Sequence, residues 1–186
     1  MNSTRSGVRS GLLLSCALAL VTVGCTNDPG TEPPSSSPTE ATSVSKPADF
    51  DPCTDIPDAV LTSEQLRKTR PEDSDSAGVT THGCGYFMLQ GYDVRIVRTS
   101  VSLSDIKAKF PDSYREQQFG SRQGAYYTLF PQYGDRSCVI NVAMNTGSLE
   151  FDLRNPATAS KTGDLDTCQL ATDLTNKIVP LIPESA

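Results

Sequence analysis

The chain has one histidine, His82, in the stretch VTTHGCGY, and most acid–base chemistry would have to run through it. A Ser–His–acid relay needs a histidine as its base, and no serine here lies in a GxSxG elbow. A zinc site of the HExxH type needs a second histidine. The context of His82, a loop-to-strand turn, predicts a solvated side chain with no catalytic task. The acidic run EDSDSAG offers Asp73 and Asp75 as first and third ligands of a calcium loop, with Gly78 at the sixth position. The fifth and twelfth positions fall on Ala77 and Cys84, whose side chains carry no oxygen. Glu72, Asp73 and Asp75 therefore read as a solvated acidic loop. There is no phosphate-cradling glycine loop, nucleotide fingerprint or internal repeat. The expectation is no catalytic site, no metal and no cofactor.

Thiol chemistry is more informative. Arg5 and Arg9 precede an apolar run, residues 11–23, that stops at Gly24-Cys25, with no acidic residue before Asp28. A basic start, a short apolar stretch and a small residue before the cut describe an export signal. The run is shorter than the roughly 20 apolar residues that a membrane-spanning helix needs. Thr22-Val23-Gly24-Cys25 fits a lipoprotein processing box, in which the Cys25 thiol takes a diacylglyceryl group. The expected layout is a signal over 1–24, a lipidated Cys25 with a Pro/Ser/Thr tether over 25–49, and one domain over 50–186. The tether holds too little apolar surface to offset its ordering entropy.

Cys16 leaves with the signal, and Cys53, Cys84, Cys138 and Cys168 remain. An even number in an exported chain implies two disulfides. Of the three possible connectivities, Cys53–Cys84 and Cys138–Cys168 are favoured, because each would tie a helix start to a nearby strand. Of the 16 Lys+Arg, Arg5 and Arg9 fall in the signal, whereas all 22 Asp+Glu follow Cys25. The exported chain is thus more acidic than the formal −6 of the whole. Such a surface disfavours nucleic acid as a partner and leaves membrane attachment to the lipid.

The elements that must position these residues follow from periodicity. DIPDAVLTSEQLRKT predicts a helix behind Asp55 with Pro57 in its first turn and Val60, Leu61 and Leu66 at helical spacing, or two short helices if Thr62 and Gln65 form a capping box. RPEDSDSAGVTTHG reads as a loop. CGYFMLQ and YDVRIVRTS read as strands joined at Gln90-Gly91, with Tyr92, Val94 and Ile96 on one face. Ser102 caps a short helix carrying Leu103, Ile106 and Phe110. AYYTLF is a strand, and SCVINVAM and SLEFDL flank the turn at Asn145-Thr146-Gly147. In the last of these, Leu149, Phe151 and Leu153 alternate with Glu150, Asp152 and Arg154, which predicts one buried and one wet face. A final helix opens on a capping box of Asp166 and Gln169, carries Leu170, Leu174 and Ile178, and stops at Pro180. The fold class is α+β, an antiparallel sheet packed with helices and tied by two disulfides.

FGSRQGAYYTLFPQYG concentrates Phe119, Tyr126, Tyr127, Phe130 and Tyr133. Alternation buries about half of such a set in a core. If the domain has an interaction surface, Tyr126, Tyr127 and Tyr133 are its first candidates.

Four features together resemble a known family. They are Asp51-Pro52-Cys53 before a helix, Cys84-Gly85-Tyr86, the strand cysteine Cys138, and Asp166-Thr167-Cys168 opening a Pro-stopped helix. They resemble, over residues 50–183, lipoproteins of mycobacteria, nocardiae and their relatives grouped as a domain of unknown function. The family commonly has Trp where Tyr86 stands. The resemblance implies an actinobacterial envelope lipoprotein and supplies no reaction. The expectation is therefore a non-enzymatic binding or accessory module, lipid-anchored on the extracytoplasmic face of the plasma membrane, with an envelope protein as one possible partner. The alternative is a carrier that holds a lipid or other apolar ligand.

Overall fold

The fold is built on a strand pairing that joins two halves of the chain. In this computed structural model, which describes residues 49–186, β4 (Asp93–Thr99) lies beside β8 (Ser148–Arg154). The first half contributes α1 (Asp58–Ser63), β1 (Leu66–Pro71), β2 (Ser74–Ser76), β3 (Val79–Met88) and β4. After α2 (Leu103–Lys109), the strands β5 (Arg115–Phe119), β6 (Arg122–Tyr127), β7 (Ser137–Ala143) and β8 run as a meander. The sheet order is β1-β3-β4-β8-β7-β6-β5, with β2 also on β3 and every pairing antiparallel. α3 (Thr167–Ile178) crosses behind β7 and β8. The α+β architecture and both disulfides match the expectation, Cys53 to Cys84 and Cys138 to Cys168. Cys25, the signal and the tether up to residue 48 lie outside the described residues. Among the described residues, no helix is long and apolar enough to cross a membrane.

The main core lies on one sheet face. Val94, Ile96, Leu149, Phe151 and Leu153 alternate into it and meet Leu174 and Ile178 of α3, with Phe50 and Ile56 from the N-terminal segment. The two disulfides pin that segment and α3 onto the sheet. Tyr86, 2% exposed, adds a hydrogen bond from its hydroxyl to the carbonyl of Pro52. Asp51-Pro52-Cys53 and Cys84-Gly85-Tyr86 thus form one structural joint. A smaller core on the opposite face joins Ile106 of α2 to Tyr127 and Val139.

Local physics corrects several expectations. The first helix ends at Ser63, because Gln65 takes a left-handed backbone (φ 55°) that turns the chain into β1, where Leu66 is buried as a strand residue. No capping box forms at Thr62 and Gln65. The supposed loop over residues 70–83 is a hairpin, with Ala77 and Gly78 (φ 53° and 78°) making its turn. Such a turn demands positive φ at both central positions. β5, rich in Arg, Glu and Gln, carried no strand signal.

Other local signals match. Ser102 and Asp105 form a reciprocal capping box on α2. Asp166 caps α3 by accepting from the Gln169 N–H at 2.7 Å, while the Gln169 side chain turns to Asp173 instead of completing a box.

Candidate functional site

The second face of the sheet departs furthest from expectation. Glu150 and Asp152 alternate away from the main core, yet they are 9% and 6% exposed. The predicted wet face of β8 is a buried charged one. Register explains which charges meet: across β4 and β8, Asp93 stands opposite Arg154, and Arg95 opposite Asp152. Opposite charges at directly paired positions stabilise a sheet. Arg95 reaches diagonally and forms an ion pair with Glu150. Arg154 approaches Asp152 only to 3.8 Å, and its guanidinium carbon lies 4.9 Å from the ring centre of Phe130 and 5.2 Å from that of Tyr133. It is held by aromatic faces more than by its carboxylate neighbour.

Asp93, Arg95, Asp152 and Arg154 line an open groove of about 390 Å³, together with Arg70, Glu72 and Phe130. Arg70 and Glu72 pair at 2.9 Å. A recess of about 250 Å³ shares Arg70, Glu72, Asp93 and Arg95 and reaches Gly85. Gly85 leaves room there, since a Cβ would come within 2.6 Å of the Thr69 hydroxyl. Burial pushes Asp152, Glu150 and Asp93 above the ordinary carboxylate range, against the opposing pull of Arg154 on Asp152 and Asp93 and of Arg95 on Glu150. The Oδ1 atom of Asp152 is buried without a hydrogen-bond partner, as is the hydroxyl of Ser137, which pairs with Arg154 in register on β7. Leaving a buried carboxylate oxygen unpaired is costly.

A neutral network continues along the same face. The Tyr127 hydroxyl donates to Asn141 Oδ1 at 3.2 Å, Asn141 Nδ2 donates to Ser148 Oγ at 2.8 Å, and Ser148 Oγ donates to the carbonyl of Val101 at 2.7 Å. Beside it, α2 and the β2–β3 turn border a groove of about 420 Å³ lined by Val79, Val101, Ile106, Phe110 and Leu129, with Glu150 also reaching it.

The residues singled out from sequence are dispersed. His82 lies on β3, not in a turn, with Nδ1 2.8 Å from Asp73 and Nε2 3.4 Å from Asp51. It is half-exposed but paired on both sides. Glu72 turns to Arg70, and Asp75 lies on β2. Among the described residues, no three His, Cys, Asp or Glu side chains gather where they could hold a metal ion. The tyrosines do not form one patch. Tyr126 is half-buried against the main core, whereas Tyr127 is buried in the smaller one and stacked on Phe110 at 5.0 Å. Only Tyr133 is exposed, beside Arg154.

Asp93, Arg95, Glu150, Asp152 and Arg154 were not singled out from sequence. Their strand alternation is visible there, but nothing local shows that the polar side of β8 is covered.

Fold and groove define a disulfide-stapled α+β domain whose sheet has one apolar face and a second that sets buried charges beside a smaller apolar core. The chain belongs to the family described as Protein of unknown function (DUF3558), whose model matches residues 20–181. No curated protein and no solved structure matches the chain.

Proposed function

We propose that this protein is a cell-envelope lipoprotein, anchored through Cys25 on the extracytoplasmic face of the plasma membrane, that binds a ligand or partner in the groove between Arg70 and Phe130. The observation that carries the binding role is the open groove itself, which gathers Arg70, Arg95 and Arg154 with Glu72, Asp93 and Asp152. The basic start at Arg5 and Arg9, the short apolar run and Gly24-Cys25 support the anchor. A diacylglyceryl group supplies two chains, enough for stable attachment where one is marginal.

The geometry suits an anchored binder. Asp49, the first described residue, pairs with Arg98 at 3.1 Å near one end of β4. The groove opens around Asp93 at the other end. Five strand steps of roughly 3.4 Å put about 17 Å between those ends. The groove therefore lies about 17 Å along β4 from the point where the tether enters the domain.

A second reading, a carrier of an apolar ligand, draws on the apolar groove beside α2. Complementation of a deletion strain separates the anchored-binder proposal from its rivals. Cys25→Ala and Asp152→Asn should each fail to restore the deletion phenotype at normal abundance. Full rescue by Asp152→Asn would remove the groove from the function, and full rescue by Cys25→Ala would remove the anchor.

A further inference from the structure

Two grooves of opposite character open on the second face of the sheet, and they adjoin. One, of about 420 Å³ beside α2, is lined by Val79, Val101, Ile106, Phe110 and Leu129. The other is the charged groove of about 390 Å³. Two pairs of residues join them. Leu129 lines the first and its chain neighbour Phe130 the second. Glu150 lines the first and Arg95, its ion-pair partner, the second. The grooves are therefore the apolar half and the charged half of one trough.

Both halves present groups that a ligand can reach. Val79, at the start of β3, is 37% exposed, and Phe110 and Leu129 are half-buried, so apolar surface there stays in contact with water. In the charged half the side chains of Arg70 and Arg154 are 80% and 41% exposed, and Glu72 is partly open beside them. Arg154 approaches its nearest carboxylate only to 3.8 Å, which leaves its N–H donors open to an acceptor. A wholly polar ligand would leave the apolar half wet, and a wholly apolar one would leave the charged half unused. A molecule that fills the trough carries a chain and a polar head. We propose that the trough binds a single-chain amphiphile, its chain along α2 beside Val79 and Leu129 and its head between Arg70 and Arg154. This assignment rests on the charged groove being the recognition site and gives that groove a ligand class. Each half has the volume of a small-ligand site. A phosphocholine head is a suitable probe, because it brings both signs of charge to exposed guanidiniums and carboxylates.

The test uses the full lipidated chain, isotope-labelled and held in nanodiscs, so that no detergent chain competes. Hexyl-, octyl- and decylphosphocholine are titrated below their micelle-forming concentrations while backbone amide shifts are followed. Glycerophosphocholine serves as the head alone and 1-octanol as the chain alone. The expected result is that each amphiphile shifts the amides of Val79, Val101, Phe110 and Leu129 together with those of Asp93, Arg95 and Arg154, along one binding curve. Affinity should rise roughly threefold per added methylene, as for a chain that is partly covered. Val79→Asp, at an exposed position, should weaken decylphosphocholine about tenfold and flatten the dependence on chain length. Arg154→Gln should weaken all three amphiphiles about fivefold and leave that dependence intact. If glycerophosphocholine alone binds the charged half as tightly as decylphosphocholine does, the amphiphile assignment is overturned while the charged groove stands. If only the amides beside α2 move, with the amphiphiles or with 1-octanol, the shared trough and the charged groove are both overturned. If no probe moves either half, neither groove is a binding site for this class and the assignment falls.

Discussion

Arg95 and Asp152 stand directly opposite each other on β4 and β8, yet the Arg95 guanidinium pairs with Glu150. That choice neutralises one buried carboxylate and leaves the other with a loose neighbour, Arg154, and an unpartnered oxygen. One arginine thereby separates a structural ion pair from a buried, unpartnered acceptor within a single face of the sheet.

Removing Arg95 should expose the structural half of this arrangement. Arg95→Met leaves Glu150 buried and uncompensated, which costs about 3 kcal/mol by the behaviour of broken buried pairs. Adding Glu150→Gln should restore most of that loss, since the stranded charge is gone. Urea unfolding of the single and double variants measures both values. A double variant no more stable than Arg95→Met would contradict the pairing.

The same burial sets the response to acid. Burial holds Asp93, Glu150 and Asp152 above the ordinary carboxylate range. For these groups the folded chain binds protons more tightly than the unfolded chain, so their contribution raises stability as pH falls through their raised values towards the ordinary carboxylate range. Asp51 and Asp105 act oppositely. At Asp51 burial resists ionisation, but the Cys53 N–H, Thr54 and His82 outweigh it; at Asp105 the Ser102 hydroxyl and N–H favour the charged form. Their contribution is lost only as pH falls below about 4, through their lowered values. Melting temperatures at stepped pH should rise on mild acidification before collapsing, and Glu150→Gln should flatten the rise. An unchanged rise in that variant would exclude Glu150 as a source.

The disulfides close loops of 31 and 30 residues. In the chain-entropy model each contributes on the order of 3–4 kcal/mol. Paired Cys→Ala replacement of either bridge should cost about that much in chemical denaturation. Non-reducing peptide mapping should recover Cys53 with Cys84 and Cys138 with Cys168. Recovery of a crossed pair would overturn the connectivity.

Legibility in the sequence followed the range of the forces involved. α3 was readable because its cap at Asp166, its buried positions Leu174 and Ile178, and Pro180 are local signals. The β7–β8 hairpin announced itself through Asn145-Thr146-Gly147, where Gly147 takes φ 77°. α1 was over-extended because Leu66 sits at a spacing that a helix and a strand share, and the left-handed turn at Gln65 has no glycine to mark it. β1 and β5 are polar edge strands, so hydrophobic alternation cannot reveal them. Alternation in β8 showed two faces but not what lies over the second. Coverage of Glu150 and Asp152 comes from side chains such as Arg95, 55 residues from Glu150. The groove depends on that long-range pairing, whereas the disulfides needed only a parity count and an approximate layout.

Native mass spectrometry of the intact chain, purified from its own membranes in a polyoxyethylene detergent, tests the central claim most directly. An envelope-anchored binder should give a polypeptide that begins at Cys25 and carries a diacylglyceryl group. A population should also hold a small ligand bound in the groove, reduced in Asp152→Asn. A chain that starts elsewhere or lacks the lipid would contradict the anchor. A bound lipid retained equally by wild type and Asp152→Asn would contradict the groove and favour the apolar carrier.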